Sequence, residues 1–317
     1  MDLSLLPAVD EIIGCADHAR GLAVDPGGSA ITADVLIGVE VPLPWPKPVF
    51  DHPLLHGLDR AAAEASVAAR VLAAVPLDPA ASDAAVVAYR RRGASMVHSE
   101  VRVDPADIAA AVQALLDDPT GTADSGPADR SRPELWVCTQ GSHDSCCGRD
   151  GTRLAIDVAA AGTDVVVRRV SHTGGHRFAP TALTLPDGRM WGYIDPTLVD
   201  QVVHRSGSAA ELAERCRGWT GASTGFAQVA ERAVFADAGW SLDEASREIT
   251  VLDSARDASP GTATVQVRAT WPDGAIAIYE VGVATVREVP TIACREPGGL
   301  PAKPGREYGV TSLRRID

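Results

Sequence analysis

Metal-binding side chains crowd one stretch of this chain. Cys138, Cys146 and Cys147 fall within ten residues, and His172 and His176 follow in the run S-H-T-G-G-H-R-F. Thiolate and imidazole together suit borderline and soft metals. Cys138, Cys147, His172 and His176 therefore make a candidate Cys2His2 set. Zinc would take all four tetrahedrally and act structurally. A 2Fe–2S cluster would take the thiolates on one iron and the imidazoles on the other. Zinc-finger cysteines lie about two to four residues apart, whereas Cys138 and Cys147 are nine positions apart. That span better suits a loop wrapped around two irons, with zinc as the alternative.

The loop CTQGSHDSCCGRDG is poor in bulky apolar residues, and Gly141 and Gly148 let its backbone approach a cofactor. Cys146 could replace Cys147 as ligand, or be a small buried side chain. A vicinal Cys146–Cys147 disulfide would be strained, and no C-x-x-C motif marks a thiol oxidoreductase. Gly174 and Gly175 favour a sharp loop between the two imidazoles over a helix. His143 reads as a solvated loop residue. His52 and His56 repeat the H-x-x-x-H spacing, but no cysteine accompanies them, so they read as surface residues at a helix start. Nothing raises His18, His98 or His204 above background. Cys15, Cys216 and Cys294 stand apart in the sequence and read as buried thiols.

The elements that must hold these loops recur in a βαββα pattern. First come a strand at Val35–Val41, an Ala-rich helix at Leu58–Ala74, strands at Ala84–Tyr89 and Met96–Val103 about a turn at Arg92–Gly93, and a helix opened by Asp104–Pro105 that runs to Leu116. Then come a strand at Leu135–Val137 entering the cysteine loop, a helix at Thr152–Ala161 and a strand at Asp164–Val170. A hairpin about Pro186–Asp187–Gly188 and a helix opened by Asp195–Pro196 close the second unit. In such a unit the strands before the cysteine loop and before the histidine loop run parallel, so their C-terminal ends can lie side by side. This is the element order of a thioredoxin-like domain. The expected fold is α/β (α+β): two tandem thioredoxin-like repeats and a small C-terminal α+β appendage. The boundaries read as 1–120 for a repeat without cluster, 121–133 for a polar linker, 134–206 for the metal-bearing repeat and 207–317 for the appendage. In the appendage, Ala209–Trp219 and Gly225–Ala238 read as helices. Ile249–Leu252, Ala263–Trp271 and Ala275–Val283 read as strands, before a tail rich in Gly and Pro.

A chain of 317 residues with 45% hydrophobic and 22% charged content can bury ordinary cores, built here from aliphatic residues because aromatics make up 4%. A formal net charge of −13 argues against nucleic acid and anionic membrane as partners. No apolar run is long enough to span a bilayer, and the N-terminus lacks the basic start of a signal peptide. A cytoplasmic location is expected, where clustered cysteines read as metal-binding or redox-active.

The runs W-V-C-T-Q-G-S-H-D-S-C-C-G-R-D-G and S-H-T-G-G-H-R-F-A-P-T-A-L-T-L-P-D-G-R-M-W-G-Y-I-D-P resemble the sucrase/ferredoxin-like family, which is related to the thioredoxin-like ferredoxins. The resemblance is strong over residues 132–205. It is weaker before them, where Cys15–Ala16 and V-L-I-G-V-E-V-P-L-P-W resemble the family's opening segment. The family's usual loop has Arg where this chain has His143, and His where it has Gln140; neither position is a ligand in the family pattern. The resemblance implies a 2Fe–2S cluster on Cys138, Cys147, His172 and His176. Cys147 is implied over Cys146 because the family's ligand directly precedes the residue equivalent to Gly148.

The expected function is one-electron transfer with an unidentified redox protein as partner. A self-sufficient enzyme is not expected, and no carboxylate pair marks a sucrase. The alternatives are a structural zinc module for protein interaction and an iron–sulfur or redox sensor. Should the outer imidazole nitrogens reach solvent, electron transfer would be coupled to protons, and the reduction potential measured by protein film voltammetry would fall with rising pH in the alkaline range.

Overall fold

A computed structural model of the chain describes residues 2–118, 132–255 and 260–317. Helix α1 (Cys15–Gly21) precedes β1 (Val35–Glu40), α2 (Leu58–Glu64), β2 (Ala69–Ala74), β3 (Ala84–Arg92), β4 (Ser95–Val103) and α3 (Ile108–Asp117). The second half holds β5 (Glu134–Cys138), α4 (Thr152–Ala161), β6 (Val166–Val170), β7 (Thr181–Leu185), β8 (Arg189–Gly192) and α5 (Pro196–Val203). Beyond it lie α6 (Ala209–Ala213), β9 (Cys216–Trp219), α7 (Gly225–Ala238), β10 (Ser246–Ala255), β11 (Thr262–Thr270), β12 (Ile276–Thr291) and β13 (Lys303–Arg315). The mixed α/β class is the one expected. Of the linker expected at Gly121–Pro133, residues 121–131 lie outside the described residues.

Three expectations need correction. Leu58–Ala74 is a seven-residue helix followed by strand β2, not one long helix. Alanine favours helix, and parallel pairing of Ala69–Ala74 with Val35–Glu40 overrides that preference. Each half therefore runs β-α-β-β-β-α, one strand more than βαββα. Residues 216–219 likewise form a strand rather than the end of a helix, because they add an edge to β8. The tail expected from Pro297 carries strand β13, paired along β12.

One nine-stranded sheet runs in the order β4-β3-β1-β2-β6-β5-β7-β8-β9. Counted outward from its centre, β2-β1-β3-β4 and β6-β5-β7-β8 are the same arrangement about a pseudo-twofold axis. The two Asp-Pro starts agree: Asp104 and Asp195 each cap a helical start by accepting from Ala106 N–H and Leu198 N–H, with proline next in line. At the centre β2 and β6 share a single register pair, Ala74 opposite Val170. Two backbone bonds flank it, from Val75 N–H to Arg169 at 2.9 Å and from Ser171 N–H to Ala73 at 2.8 Å, and side chains extend the join. Arg168 is buried and donates to Glu134 at 2.9 Å, Glu40 at 3.0 Å and Glu100 at 3.4 Å, tying β6 to β5, β1 and β4. Trp136 is fully buried, gives its indole N–H to Glu134 at 2.7 Å and lies against Gly38, where a Cβ would stand 3.0 Å from the ring. Leu36, Leu72, Tyr89, Trp136, Leu183 and Met190 make one core shared by both halves.

The second, four-stranded sheet packs its Val265, Val267 and Val281 against Phe226, Val229 and Val234 of α7. Arg189 of β8 meets Glu231 of α7 at 2.9 Å and Asp243 at 2.7 Å, all with fully buried side chains. Among the described residues no helix is long and apolar enough to cross a membrane.

Replacing Arg168 by Met strands the carboxylates of Glu40 and Glu134 in the interior. Urea unfolding of that variant is expected to show a loss of about 3–5 kcal/mol.

Candidate metal centre

Parallel pairing of β5 with β6 sets Cys138 opposite Val170, so the cysteine loop and the histidine loop leave the same end of neighbouring strands. The cysteine loop returns through one wide π-helical turn, Cys147–Gly151, into α4. Its backbone folds tightly on itself. A Cβ on Gly148 would stand 2.5 Å from Gly141 Cα, and one on Gly151 would strike the Cys138 carbonyl. In the histidine loop Gly174 and Gly175 hold φ of +76° and +65°, the left-handed region that glycine enters without strain.

The first half braces both loops. Ser171 donates its N–H to Ala73 at 2.8 Å and accepts from Ala73 N–H at 3.0 Å. The carboxamide of Gln140 accepts from His172 N–H at 3.0 Å and donates to the Pro46 carbonyl at 2.8 Å. Lys47 donates to the His143 carbonyl at 3.1 Å.

Of the four expected ligands, Cys138 and Cys147 are buried and His172 and His176 half-buried. A hydrogen bond from the Cys147 thiol, followed by the His172 ring, holds the Cys138 thiol well below the ordinary thiol range. The same Cys138 contact, with burial, pushes Cys147 up. The rings of His172 and His176 lie 6.1 Å apart.

His143 is not a solvated loop residue. It is half-buried and stacks on His172 at 3.7 Å with 7° between the ring planes. Burial, then His172 and Lys47, lower it to about 4, so it is neutral at physiological pH. Stacking makes it a support for His172. His52 stands at a helical start, as expected, capping the short turn Pro53–Leu55 by accepting from Leu54 N–H at 3.3 Å, and it is half-buried rather than exposed.

Cys15 and Cys294 do not stand apart in space, although 279 positions separate them in sequence. Cys15, Asp144, Cys146 and Cys294 place one ligand atom each within 4.8 Å of one another, a group able to hold a metal ion. Among the described residues no other group of three or more His, Cys, Asp or Glu side chains draws its ligand atoms so close. Cys146 Sγ lies 3.3 Å from Cys294 Sγ, and Cys15 Sγ lies 3.4 Å from Asp144 Oδ1. His176 joins the two sets, its Nδ1 being 2.7 Å from Asp144 Oδ2 and 3.1 Å from Cys15 Sγ. Sequence distance hid this second set; only the type of residue, cysteine, could have flagged it. Cys216 is buried in the aliphatic core, as expected.

Two thiols and two imidazoles are a donor set that fits either a tetrahedral zinc or a 2Fe–2S cluster. Nδ1 of His172 and Nη1 of Arg217 are buried without a hydrogen-bond partner among the described residues. An orphaned ring nitrogen suits a metal ligand, and a buried guanidinium near Cys138 and Cys147 suits an anionic centre. Burial lowers Arg217 to about 10, and the charges of Cys138 and Cys147 oppose that fall.

The family model described as sucrase/ferredoxin-like matches residues 35–218, more than half of the chain. The match covers both halves and ends in β9, leaving Cys15 and Cys294 outside it. No curated protein and no solved structure matches the chain.

Gly148→Ala would force the cysteine loop off Gly141. Its metal content after anaerobic purification is expected to fall several-fold, while Gly21→Ala, at a helical glycine where no atom lies within 4 Å of an added Cβ, is expected to leave the metal content unchanged.

Proposed function

Because the chain belongs to the sucrase/ferredoxin-like family, we propose that it carries electrons one at a time through a 2Fe–2S cluster held by Cys138, Cys147, His172 and His176. The single observation that carries this reading is the parallel pairing of β5 and β6, which makes the cysteine loop and the histidine loop leave the same end of neighbouring strands. When bound, such a cluster supplies a one-electron couple, with a potential raised by neutral imidazole in place of thiolate.

The chain's own residues do the rest. Metal binding displaces the thiol protons of Cys138 and Cys147, so loading of the site depends on pH. Asp144 accepts from Nδ1 of His176, which fixes that ring and leaves its Nε2 as the ligating atom, the carboxylate–histidine arrangement found behind many metal ligands. The proton on Nδ1 is then shared with a carboxylate rather than open to water. His143 stacks on His172 and fixes the other ring. We read each half as a thioredoxin-like unit, the first acting as a brace without a cluster.

A cavity of ≈ 510 Å³ opens beside His176 and His143, with Lys47, Arg295 and Lys303 among its lining residues. It is the natural approach for a redox protein partner with acidic groups at its contact surface.

Protein purified without oxygen is expected to be red-brown, to contain iron and sulfide in equal amounts and to give a 2Fe–2S EPR signal on reduction. Cys138→Ser and His172→Ala are expected to abolish the visible spectrum. His172→Cys combined with His176→Cys is expected to keep it at a lower reduction potential. A colourless protein with zinc on the quartet would overturn the reading.

A further inference from the structure

Three thiols and a carboxylate meet beside the quartet from three distant parts of the chain. Cys15 opens α1, Cys146 sits in the cysteine loop behind Asp144, and Cys294 follows β12. We propose that Cys15, Cys146, Cys294 and Asp144 form a second metal site, for one soft divalent cation of the zinc class. It is separate from the quartet and lies partly outside the residues that carry the family match.

The distances suit one ion. Tetrahedral zinc with Zn–S of about 2.3 Å places its sulfurs about 3.8 Å apart, and all four donor atoms here lie within 4.8 Å of one another. The 3.3 Å between Cys146 and Cys294 needs to open only slightly. A disulfide would need that gap to close to about 2.05 Å, and it would leave the third thiol, Cys15, without a partner. Three converging sulfurs favour a cation over a bridge.

The surroundings are built for thiolates. Cys294 Sγ accepts from Cys15 N–H at 3.5 Å and lies 3.1 Å from Ser145 Oγ. The Ala16 amide donates to Cys146. Donors of this kind stabilise sulfur in its anionic form. The backbone closes on the site, since a Cβ on Gly14 would stand 2.9 Å from Cys146 Sγ. The charges of Arg149 and Arg177 interact with Cys146 and Cys15 and temper the anionic total.

The site has a structural consequence. Oδ1 of Asp144 faces the thiols and accepts from Cys146 N–H at 3.1 Å, while Oδ2 faces His176 at 2.7 Å. A cation on Oδ1 would pin the carboxylate that orients His176. It would also tie the N-terminal helix and the C-terminal sheet to the cysteine loop.

The test is metal content of the full chain purified without oxygen. Wild type is expected to hold one equivalent of zinc besides its iron. Cys294→Ala is expected to lose the zinc and keep both iron and visible spectrum, whereas Cys138→Ser is expected to lose the iron and keep the zinc. Cadmium NMR on iron-loaded wild type, after exchange with one equivalent of cadmium, needs no variant and is expected to give a signal typical of three sulfurs and one oxygen. Zinc retained by Cys294→Ala, a Cys146–Cys294 disulfide in the anaerobic protein, or a cadmium shift typical of nitrogen and oxygen donors would overturn the second site. None of these outcomes bears on the quartet, which stands or falls by its iron.

Discussion

Everything at the candidate centre depends on β5 and β6 running parallel and in register. That pairing puts Cys138 beside Val170, and from there two loops have nowhere to go but past each other. A shift by one residue would turn Cys138 to the opposite face of the sheet. Register is held by side chains as much as by the backbone. Glu134, at the start of β5, accepts from Trp136 and Arg168, so the strand that ends in Cys138 is anchored at its other end by a buried carboxylate.

The first half of the molecule then has a physical role without any ligand of the quartet. It supplies Pro46, Lys47 and Ala73 as hydrogen-bond partners to Gln140, His143 and Ser171. These contacts reach the residues next to the ligands rather than the ligands themselves. Loops rich in glycine have low intrinsic order, and bracing from a rigid neighbour offsets the entropy of fixing them. The central join between the halves therefore bears directly on the site, since Ser171 sits both in that join and next to His172.

The candidate quartet and the second cluster of thiols lie side by side, with Asp144 and His176 at the boundary. Buried groups of this kind are costly unless paired or bound to metal. Close sulfur–sulfur, sulfur–carboxylate and imidazole–carboxylate contacts partner them here. A cavity lined by Lys47, Arg295 and Lys303 gives these groups their exit to solvent.

The sequence alone determined the second half almost element by element. Its strands are bounded by Pro, Gly and Asp, and the chemistry lies within one short run. It also determined the duplication, through the two Asp-Pro helix starts, and it put the quartet forward through residue type, the glycines between and the family resemblance. It misread Leu58–Ala74 because alanine-rich segments favour helix, a preference that pairing with β1 overrode. It misread His143, whose neutral, stacked state comes from burial, then from His172 and Lys47. The convergence of Cys15, Cys146 and Cys294 was beyond it for a plainer reason. Those residues are brought together by packing of the first helix and the last sheet against one loop, and no local pattern records a contact between positions so far apart in the chain.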